Sequence, residues 1–595
     1  MSALIHDDSY EVYRTQLRAV FSDDVFTPRQ SQDPAERFAL TYRRLRHVND
    51  SLDVQGPLLH QRERLFPLIE WSAIADPSLF YAMFLHHCMT VGAIAEFGHG
   101  RQDLVDVLDK LAGTDWVGAL LMTELGHGNS NASVRTEAVY DRARDEFVLH
   151  TPEPAAVKFP PSVGAEGLAR LGVVLAQLKV DGADCGEFCF LVPLRDEHGP
   201  CDGVRIEGRP PTAMLPLDCA VVSFDHVRVP FRHWLRDNAT LTAETGFADP
   251  LGSPAVRARR TLSLIRYAWE AAVVALAGTA RASAAIAVRH AHRRRTNGRF
   301  APDLPVVRYR NQQRTVFGAL AGAYVAALVA KSVATPQAPA LTAGGVRTSF
   351  LMKVVTDRLA EQVTARCRRA SGALGFLAES RFLDYQGLAH SLNAAAADNQ
   401  VLLLDAAYAL AAGLDYEPPA AEPAAEESAE PLPAPGGRDL LDHRTWLALA
   451  RVRERTLHQD LLDGLRKAKE SGLGEFDAWN GLLDLAERLA ETHAGRLVLE
   501  TVTRAVDSVT DPATRAALDD LCALYALEEA AAHDGWYLAE GLLDKDQVRA
   551  IPTLLDTLCE RLAPHALELA DGLDVPYDLV GGPLVADDYV SALSD

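Results

Sequence analysis

The spacing of apolar residues changes twice along this chain, and that change constrains the fold more than any other feature. Residues 34–113 repeat apolar side chains every three or four positions, which is the helical period. Residues 118–237 instead carry short alternating runs rich in Val and Phe, separated by Gly, Pro and Asp. Helical spacing returns at 262–288, and two more long helices are predicted at 307–335 and 341–370. The sequence therefore predicts a mainly α protein with a central β domain.

A proline-rich segment separates the last part of the chain from the rest. Residues 417–437 repeat Pro among Ala and Glu, a composition that buries no core and favours an extended linker. Helical spacing resumes beyond it. The predicted organisation is an N-terminal helical domain (1–117), a β domain (118–240), a helical-bundle domain (241–416), the acidic Pro/Ala linker (417–438) and a C-terminal helical domain (439–595).

Length and charge exclude several classes of protein and partner. The chain has 595 residues, 48% of them apolar, and a formal net charge of −22, which predicts several folded domains rather than disorder. This acidic balance argues against nucleic acid and against an anionic membrane surface as partners. No stretch approaches the roughly 18 consecutive apolar residues of a membrane span, and no basic-then-apolar leader opens the chain.

The cysteines and the end of the chain give expectations about metals and compartment. The eight cysteines are scattered through a chain too large to need disulfides, so we expect reduced thiols. Cys185 and Cys189 lie four positions apart, but no second ligand pair follows at zinc spacing, and no metal site is predicted. The chain ends in Ala-Leu-Ser-Asp rather than in a peroxisomal Ser-Lys-Leu signal, so we expect a cytoplasmic protein.

The clearest local motif opens the β domain. Residues 122–128 read MTELGHG, in which glycines would let the backbone approach a ligand closely and the Thr123 hydroxyl could bond to the edge of a heteroaromatic ring. We interpret His127, in the same loop, as a packing and hydrogen-bonding residue. Alone, such a motif is typical of many loops, so its meaning depends on the segments that accompany it.

Several of those segments, taken in order, resemble the acyl-CoA oxidases of the acyl-CoA dehydrogenase superfamily. The matching segments are residues 123–128 (TELGHG), 224–230 (FDHVRVP), 292–298 (HRRRTNG), 371–376 (SGALGF) and 535–543 (GWYLAEGLL). The resemblance extends over nearly the whole chain. It implies an α-helical N-terminal domain, a β-barrel-like middle domain, a four-helix-bundle domain and the additional C-terminal helical domain that distinguishes oxidases from the shorter dehydrogenases.

The resemblance also implies FAD, held between the β domain and long helices of one subunit and the helices of a dimer mate. It places Thr123 and Gly128 along the isoalloxazine and ribityl chain, and Arg294, Gln312 and the glycine loop at the pyrophosphate and adenosine. An arginine matches a pyrophosphate bidentately, and a glycine loop presents backbone amides to phosphate oxygens. The full set of predicted cofactor residues is Thr123, Gly128, Asn129, Lys158, Phe159, Arg294, Gln312, Gly372, Gly375 and Asn399.

The chain departs from the family at the catalytic base. In the family, a glutamate in a Tyr-Glu-Gly turn removes the proton α to the thioester carbonyl, and here that position is Ala396. Asp398 and Asn399 fall where the family carries an acid and an asparagine, which fixes the register. Loss of a positioned general base costs on the order of 100- to 10,000-fold in rate. The backbone amide at residue 396, which helps to polarise the carbonyl in the family, does not depend on the side chain.

Two other carboxylates are candidate replacements for this base. Glu270 lies in the long apolar helix, in the region from which some superfamily dehydrogenases supply their base. Its structural alternative is an intrahelical pair with Arg266 at i, i+4. Asp398 is the second candidate, although its family counterpart serves the turn and the cofactor.

Three functions remain open at this stage. The first is an oxidase or dehydrogenase of an unusual acyl thioester, bound to CoA or a carrier protein, with oxygen as electron acceptor. The second is flavin-dependent oxidation or oxygenation at the nitrogen of an amine or hydrazine-like substrate, whose N–H proton needs a weaker base. The third is a catalytically silent partner subunit. The resemblance also implies a homodimer, and the Ala-, Leu-, Arg- and Asp-rich composition fits specialised metabolism in a high-GC bacterium.

Overall fold

The computed structural model describes residues 2–6, 10–27, 33–52, 58–208, 210–242, 246–299, 302–334, 342–420 and 435–593. It divides into two compact units, one formed by Val12–Ala271 and the other by Met1–Glu11 with Ala272–Asp595. We call them the β unit and the helical unit and describe each separately. Most of the predicted linker, residues 421–434, lies outside the described residues. The division into four domains stays a prediction.

The β unit opens with helices whose starts are set by caps. Its helices are the Tyr10–Phe21 helix from Val12 onward, Pro34–Ser51, Arg62–Ala75, Pro77–Met83, Gly92–Gly98, Val105–Ala112 and Pro254–Leu262. A π-helical segment spans Phe84–Val91. Asp33 and Asp76 each accept a hydrogen bond from the backbone two residues on, at 2.9 Å, with Pro at the first helical position. A side-chain acceptor followed by Pro is the local signal that starts a helix.

A seven-stranded sheet forms the centre of the β unit. Its strands are Val117–Leu121, Glu137–Asp141, Glu146–His150, Arg170–Val180, Ala183–Arg195, Val227–Pro230 and Trp234–Leu235. The long central hairpin, 170–195, turns at Asp181 and Gly182, which both have positive φ, as the two-residue hairpin turns require. Two small strand pairs lie outside the sheet, Val204–Glu207 with Val221–Phe224 and Thr240–Thr242 with Gly246–Ala248.

Aromatic side chains fill the core of the sheet. The ring of Phe147 lies 5.2 Å from that of Phe190 and 5.5 Å from that of Trp234, edge to face in both cases. All three side chains are buried. Alternation along the strands, which the sequence showed as runs of Val and Phe, places these rings on one face.

The helical unit consists of long helices joined by shorter ones. Its helices are Ser2–Ile5, the Arg266–Arg293 helix from Ala272 onward, Arg310–Ala334, Ala343–Ala370, Phe382–Ala394, Asn399–Ala411, His443–Glu470, Glu475–Asn480, Leu483–Asp507, Pro512–Ala531, Asp534–Ala539, Lys545–Leu562 and Ala566–Gly572. A short strand pair, Arg295–Thr296 with Leu304–Pro305, links the first two long helices. The three long helices predicted from apolar spacing are all present.

The segment after the linker packs against the bundle inside this unit. The Tyr324 hydroxyl donates to the carbonyl of Leu569 at 2.7 Å, and Arg366 pairs with Glu528 at 2.6 Å. Tyr324 is buried, so this contact belongs to the core. The C-terminal helices therefore pack into the core of the same unit as the bundle helices.

Among the residues that the structure describes, three helical stretches are long and apolar enough to cross a membrane by length and composition, namely Pro77–Gly98, Pro254–Arg293 and Arg310–Ala334. Between 89% and 100% of their apolar windows are buried by the rest of the chain. Their hydropathy is that of core helices whose apolar surface is covered by protein.

Candidate functional site

Thr123 follows the first strand of the sheet and begins the glycine loop predicted to bind flavin. Its carbonyl accepts a hydrogen bond from the Phe159 amide at 3.1 Å, so the two predicted residues are neighbours. Further along, a Cβ on Gly126 would lie 2.5 Å from that of Ala155, and only glycine permits this approach. Gly128 and Asn129 form the exposed tip, where a Cβ on Gly128 would meet nothing in the described chain within 4 Å.

A buried ion pair supports this loop from beneath. The Lys158 ammonium lies 3.1 Å from the Glu124 carboxylate and donates to the Met122 carbonyl at 3.0 Å, with both charged side chains almost fully buried. Burial lowers the pKa of Lys158 to about 8, although Glu124 opposes that shift. Burial raises the pKa of Glu124, but Lys158 and bonds from Thr136 outweigh it and hold that pKa below its usual value. Lys158 thus fixes the loop, and its contact with cofactor stays a prediction.

Glu187, which the sequence did not single out, belongs to the same buried group. It is 5% exposed, and its Oε1 accepts from the Val134 amide at 3.2 Å. Burial raises its pKa to about 7, despite opposing contributions from Val134 and Lys158. An acidic residue within an alternating apolar strand is the signal that could have revealed it.

Glu270, the candidate replacement base, pairs with a residue from another helix. Its Oε2 accepts from Arg62 at 2.8 Å, whereas Arg266 pairs with Glu96 at 2.8 Å. The pair between Glu270 and Arg266 within one helix, which was the alternative considered from the sequence, is therefore wrong. At i, i+4 an acid that follows its base is in the weaker orientation, and both side chains pair instead with residues of other helices. Burial raises the pKa of Glu270, with Arg62 opposing.

In the helical unit, Arg294 stands between two paired arginines. Arg293 pairs with Asp587, and Arg295 pairs with Asp303 at 2.9 Å. Within the described part of the chain, no carboxylate or other acceptor bonds to the Arg294 guanidinium, which is half-buried. A half-buried cation without a protein partner suits an anionic ligand.

The second glycine motif lies against this guanidinium. Gly372 has a φ of +64°, and a Cβ there would lie 2.7 Å from Nη1 of Arg294. The Gln312 amide donates to the Ala370 carbonyl at 3.1 Å, just before the motif, and Gly375 is buried in the same 3₁₀ turn. The structure thus brings together Arg294, Gln312 and the two glycines as predicted neighbours.

The turn that contains the predicted base position, Ala396, has an unusual backbone. Ala396 and Ala397 have φ values of +57° and +70°, both in the left-handed region that L residues avoid. The Asp398 carboxylate accepts from the Gln400 amide at 2.9 Å and caps the Asn399–Ala411 helix. Asp398, the weaker base candidate, is therefore engaged as a helix cap.

A buried Lys–Asn–Asp chain holds this turn. The Lys353 ammonium donates to the Ala397 carbonyl at 2.9 Å and to Oδ1 of Asn399 at 2.8 Å. The Asn399 amide donates to Asp357 at 2.7 Å. Burial lowers the pKa of Lys353 and raises that of Asp357, and each group's charge opposes the shift of the other. Sequence reasoning missed Lys353 and Asp357, although opposite charges four apart in an apolar helix could have signalled them.

Comparison with known proteins identifies the family of the chain that carries these glycine motifs and the turn at Ala396. A family model described as acyl-CoA oxidase matches residues 442–588, and one described as acyl-CoA oxidase, C-alpha1 domain, matches residues 262–411. The chain belongs to the acyl-CoA oxidase family. The family identification made from sequence motifs is confirmed.

Curated acyl-CoA oxidases match over most of their length. The chain is 26% identical to acyl-coenzyme A oxidase 2, peroxisomal, of Arabidopsis thaliana over 563 residues, covering 88% of this chain and 80% of that one. It is 28% identical to peroxisomal acyl-coenzyme A oxidase 2 of Oryctolagus cuniculus over 497 residues, covering 76% and 70%.

Solved acyl-CoA oxidase structures share the fold. Acyl-CoA oxidase1 from Yarrowia lipolytica superposes with a TM-score of 0.86 at 20% identity, covering 100% of this chain and 91% of that one. Acyl-CoA oxidase-1 of Caenorhabditis elegans, complexed with FAD and ATP, superposes with a TM-score of 0.81 at 21% identity, covering 99% and 90%. The predicted fold class, mainly α with a central β domain, is confirmed.

Membership of the acyl-CoA oxidase family makes the protein a flavin-dependent oxidoreductase with FAD as cofactor, as the motifs predicted. The residues present fit that cofactor at its anionic end, where the guanidinium of Arg294 has no bonding partner among the described residues and lies against the tight Gly372 turn. The individual cofactor-binding and catalytic residues stay predictions.

Proposed function

We propose that the protein is an FAD-dependent oxidase or dehydrogenase of an unusual acyl thioester, carried by CoA or a carrier protein, with oxygen as electron acceptor. One observation carries the proposal: the turn at Ala396 and Ala397 is left-handed and is held by Lys353, while residue 396, the predicted base position, carries no carboxylate. Strained backbone of this kind persists at functional sites. A plain fatty acyl-CoA would need the missing base, so the substrate must lose its α proton more easily.

Separate groups in the chain would hold the cofactor. The Thr123 loop would carry the flavin ring, and Arg294, Gln312 and the Gly372 turn would bind pyrophosphate and adenosine. FAD, when bound, supplies the acceptor for a hydride from the carbon β to the thioester carbonyl. The buried Lys158–Glu124 pair keeps the Thr123 loop in one conformation.

Proton removal is the step for which this chain needs its own solution. We propose Glu270 as the base. Its Oε2 is held by Arg62, its Oε1 accepts no hydrogen bond from any residue in the described ranges, and burial raises its pKa. A carboxylate with a raised pKa is a stronger base than an exposed one, provided that the working pH lies above that pKa.

The test compares two substitutions in purified, flavin-loaded protein. Glu270→Gln should lower the turnover of an activated thioester by about 100- to 10,000-fold, with peroxide release as the assay. Glu63→Gln, an exposed acid beside Arg62, is the matched control and should leave turnover unchanged. Ala396→Glu should add desaturation of plain fatty acyl-CoA. The proposal fails if no thioester is turned over and Glu270→Gln changes nothing.

Oxidation or oxygenation at nitrogen is the second candidate function. It is favoured by the methyl group at residue 396, because an N–H proton needs less help from a strong base. A panel of amines and hydrazines, with an N-oxidised product as the readout, separates it from thioester oxidation. Purified protein without flavin absorbance would instead favour a silent partner subunit.

We further propose a homodimer located in the cytoplasm and serving bacterial specialised metabolism. The family resemblance supports the dimer, and the acidic, Ala- and Arg-rich composition supports the setting. Light scattering on the purified protein tests the dimer, since a monomer at all concentrations would contradict it.

A further inference from the structure

Three side chains able to bind a metal converge at the edge of the β unit's sheet. One ligand atom each from His150, Asp225 and His226 lies within 4.8 Å of the other two. Among the residues that the structure describes, they form the one such group of at least three. We propose that these residues bind a Zn²⁺ ion through two imidazole nitrogens and one carboxylate oxygen.

The backbone fixes the relative positions of the three ligands. His150 ends the strand Glu146–His150, and Asp225 and His226 form the turn between the strands Val221–Phe224 and Val227–Pro230. Leu149 pairs with Val227 in the antiparallel ladder on one side of the ligands. On the other side, Thr151 and Phe224 exchange two hydrogen bonds of 2.9 Å, so the site needs little ordering on binding.

The donors also have the right chemistry. The two imidazole rings stack with centroids 4.3 Å apart, and Nδ1 of His226 lies 2.8 Å from Oδ1 of Asp225. Nδ1 of His150 is buried and has no hydrogen-bond partner in the described part of the chain. Two neutral imidazoles and a carboxylate are a borderline donor set that prefers Zn²⁺ to Ca²⁺ or Mg²⁺.

Burial and charge indicate what kind of site this is. His150 is half-buried, whereas Asp225 and His226 are exposed, so three protein ligands would leave the remaining coordination positions to water. Arg205 lies 3.2 Å from Oδ2 of Asp225 and competes with a cation for that carboxylate. The ion would link the end of the strand Glu146–His150 to the turn between Val221–Phe224 and Val227–Pro230.

The sequence did not predict this site. The spacing rules for zinc look for pairs of ligands close together in the chain, and His150 is separated from the other two by most of the β domain. Only the pairing of their strands brings the ligands together.

The experiment is a Zn²⁺ titration by calorimetry on full-length protein treated with a chelator, repeated with Co²⁺ to read coordination from its visible absorption. Wild type should bind one ion per chain at this site. His226→Ala and His150→Gln should each weaken binding by at least about tenfold. Arg205→Gln should tighten binding, because it removes the competing cation.

A matched control distinguishes this site from general surface binding. His198 and Glu197 form an exposed His–acid pair at 3.6 Å in the same unit, so His198→Ala should leave the affinity unchanged. Circular dichroism checks folding, and the exposed His226 carries the test if the His150 variant unfolds. Equal binding of Zn²⁺ by wild type and His226→Ala, or the absence of one-to-one binding, overturns the proposal. Flavin content is measured separately, so that this outcome is distinguished from failure of the proposed flavin function.

Discussion

The ammonium of Lys353 lies 2.9 Å from the carbonyl oxygen of Ala397, inside the turn predicted to correspond to the family's catalytic glutamate. Lys353 is fully buried, and it also bonds to Asn399, which in turn bonds to Asp357. The turn that contains the predicted base position is therefore held from inside the unit by a buried chain of hydrogen bonds.

Lys353→Met should destabilise the protein by about 3 kcal/mol, because it leaves the buried Asp357 without its compensating charge. The double variant Lys353→Met with Asp357→Leu should recover much of that loss, since replacing both members of a buried pair is close to neutral. Urea unfolding of the two variants measures the difference. Equal stability of the single and double variants would show that the two charges are not coupled.

Ala397→Gly should stabilise the protein by about 0.5–1 kcal/mol, because glycine adopts a φ of +70° without steric cost. Ala395→Gly is the matched control. Ala395 has an ordinary φ of −76°, so the same change there should destabilise by about 0.5–1 kcal/mol. Thermal unfolding reads both variants, and shifts of the same sign would contradict the strain assigned to the turn.

Arg294→Gln should weaken FAD binding by about 10- to 100-fold, since a charged hydrogen bond to phosphate contributes about 1.5–3 kcal/mol. Arg295→Gln should have little effect, because Arg295 is exposed and paired with Asp303. The ratio of bound flavin to protein after dialysis measures both. If the two variants lose flavin equally, Arg294 has no special part in binding the cofactor.

Arg62→Gln should move the acidic limb of the pH profile, the range in which activity rises with pH, to higher pH. Glu270 acts as a base only when ionised, and burial already raises its pKa while Arg62 partly opposes this. Removing the guanidinium takes away that opposing effect, so the pKa rises further. Profiles of kcat/KM against pH in wild type and variant test the prediction, and an unchanged acidic limb would remove Glu270 from the role of base.

Glu187→Gln should increase stability at pH 8 and leave it unchanged at pH 4. Burial raises the folded-state pKa of Glu187 from 4.5 to about 7, so the folded protein holds this proton more tightly than the unfolded chain. The resulting stability is fully present below pH 4.5 and is lost as the pH rises towards about 7. Urea unfolding of both proteins across this range provides the measurement.

The sequence alone determined the order of helical and β segments, the glycine loop after Leu121 and the absence of a glutamate at residue 396. Each of these is local. Periodicity over a dozen residues reports which face is buried, and a motif in fixed register reports which residue stands at a given position. The fold class, the family and the cofactor followed from such local signals.

The partners of the charged residues were decided only by tertiary structure. Glu270 bonds to Arg62 instead of Arg266, and among the described residues the Arg294 guanidinium has no bonding partner, unlike its neighbours in the chain. Ion pairs and ligand clusters form between residues distant in sequence, and no local pattern fixes which of several nearby charges a buried group will meet. For the same reason the His150, Asp225 and His226 cluster exists only once the strands have paired.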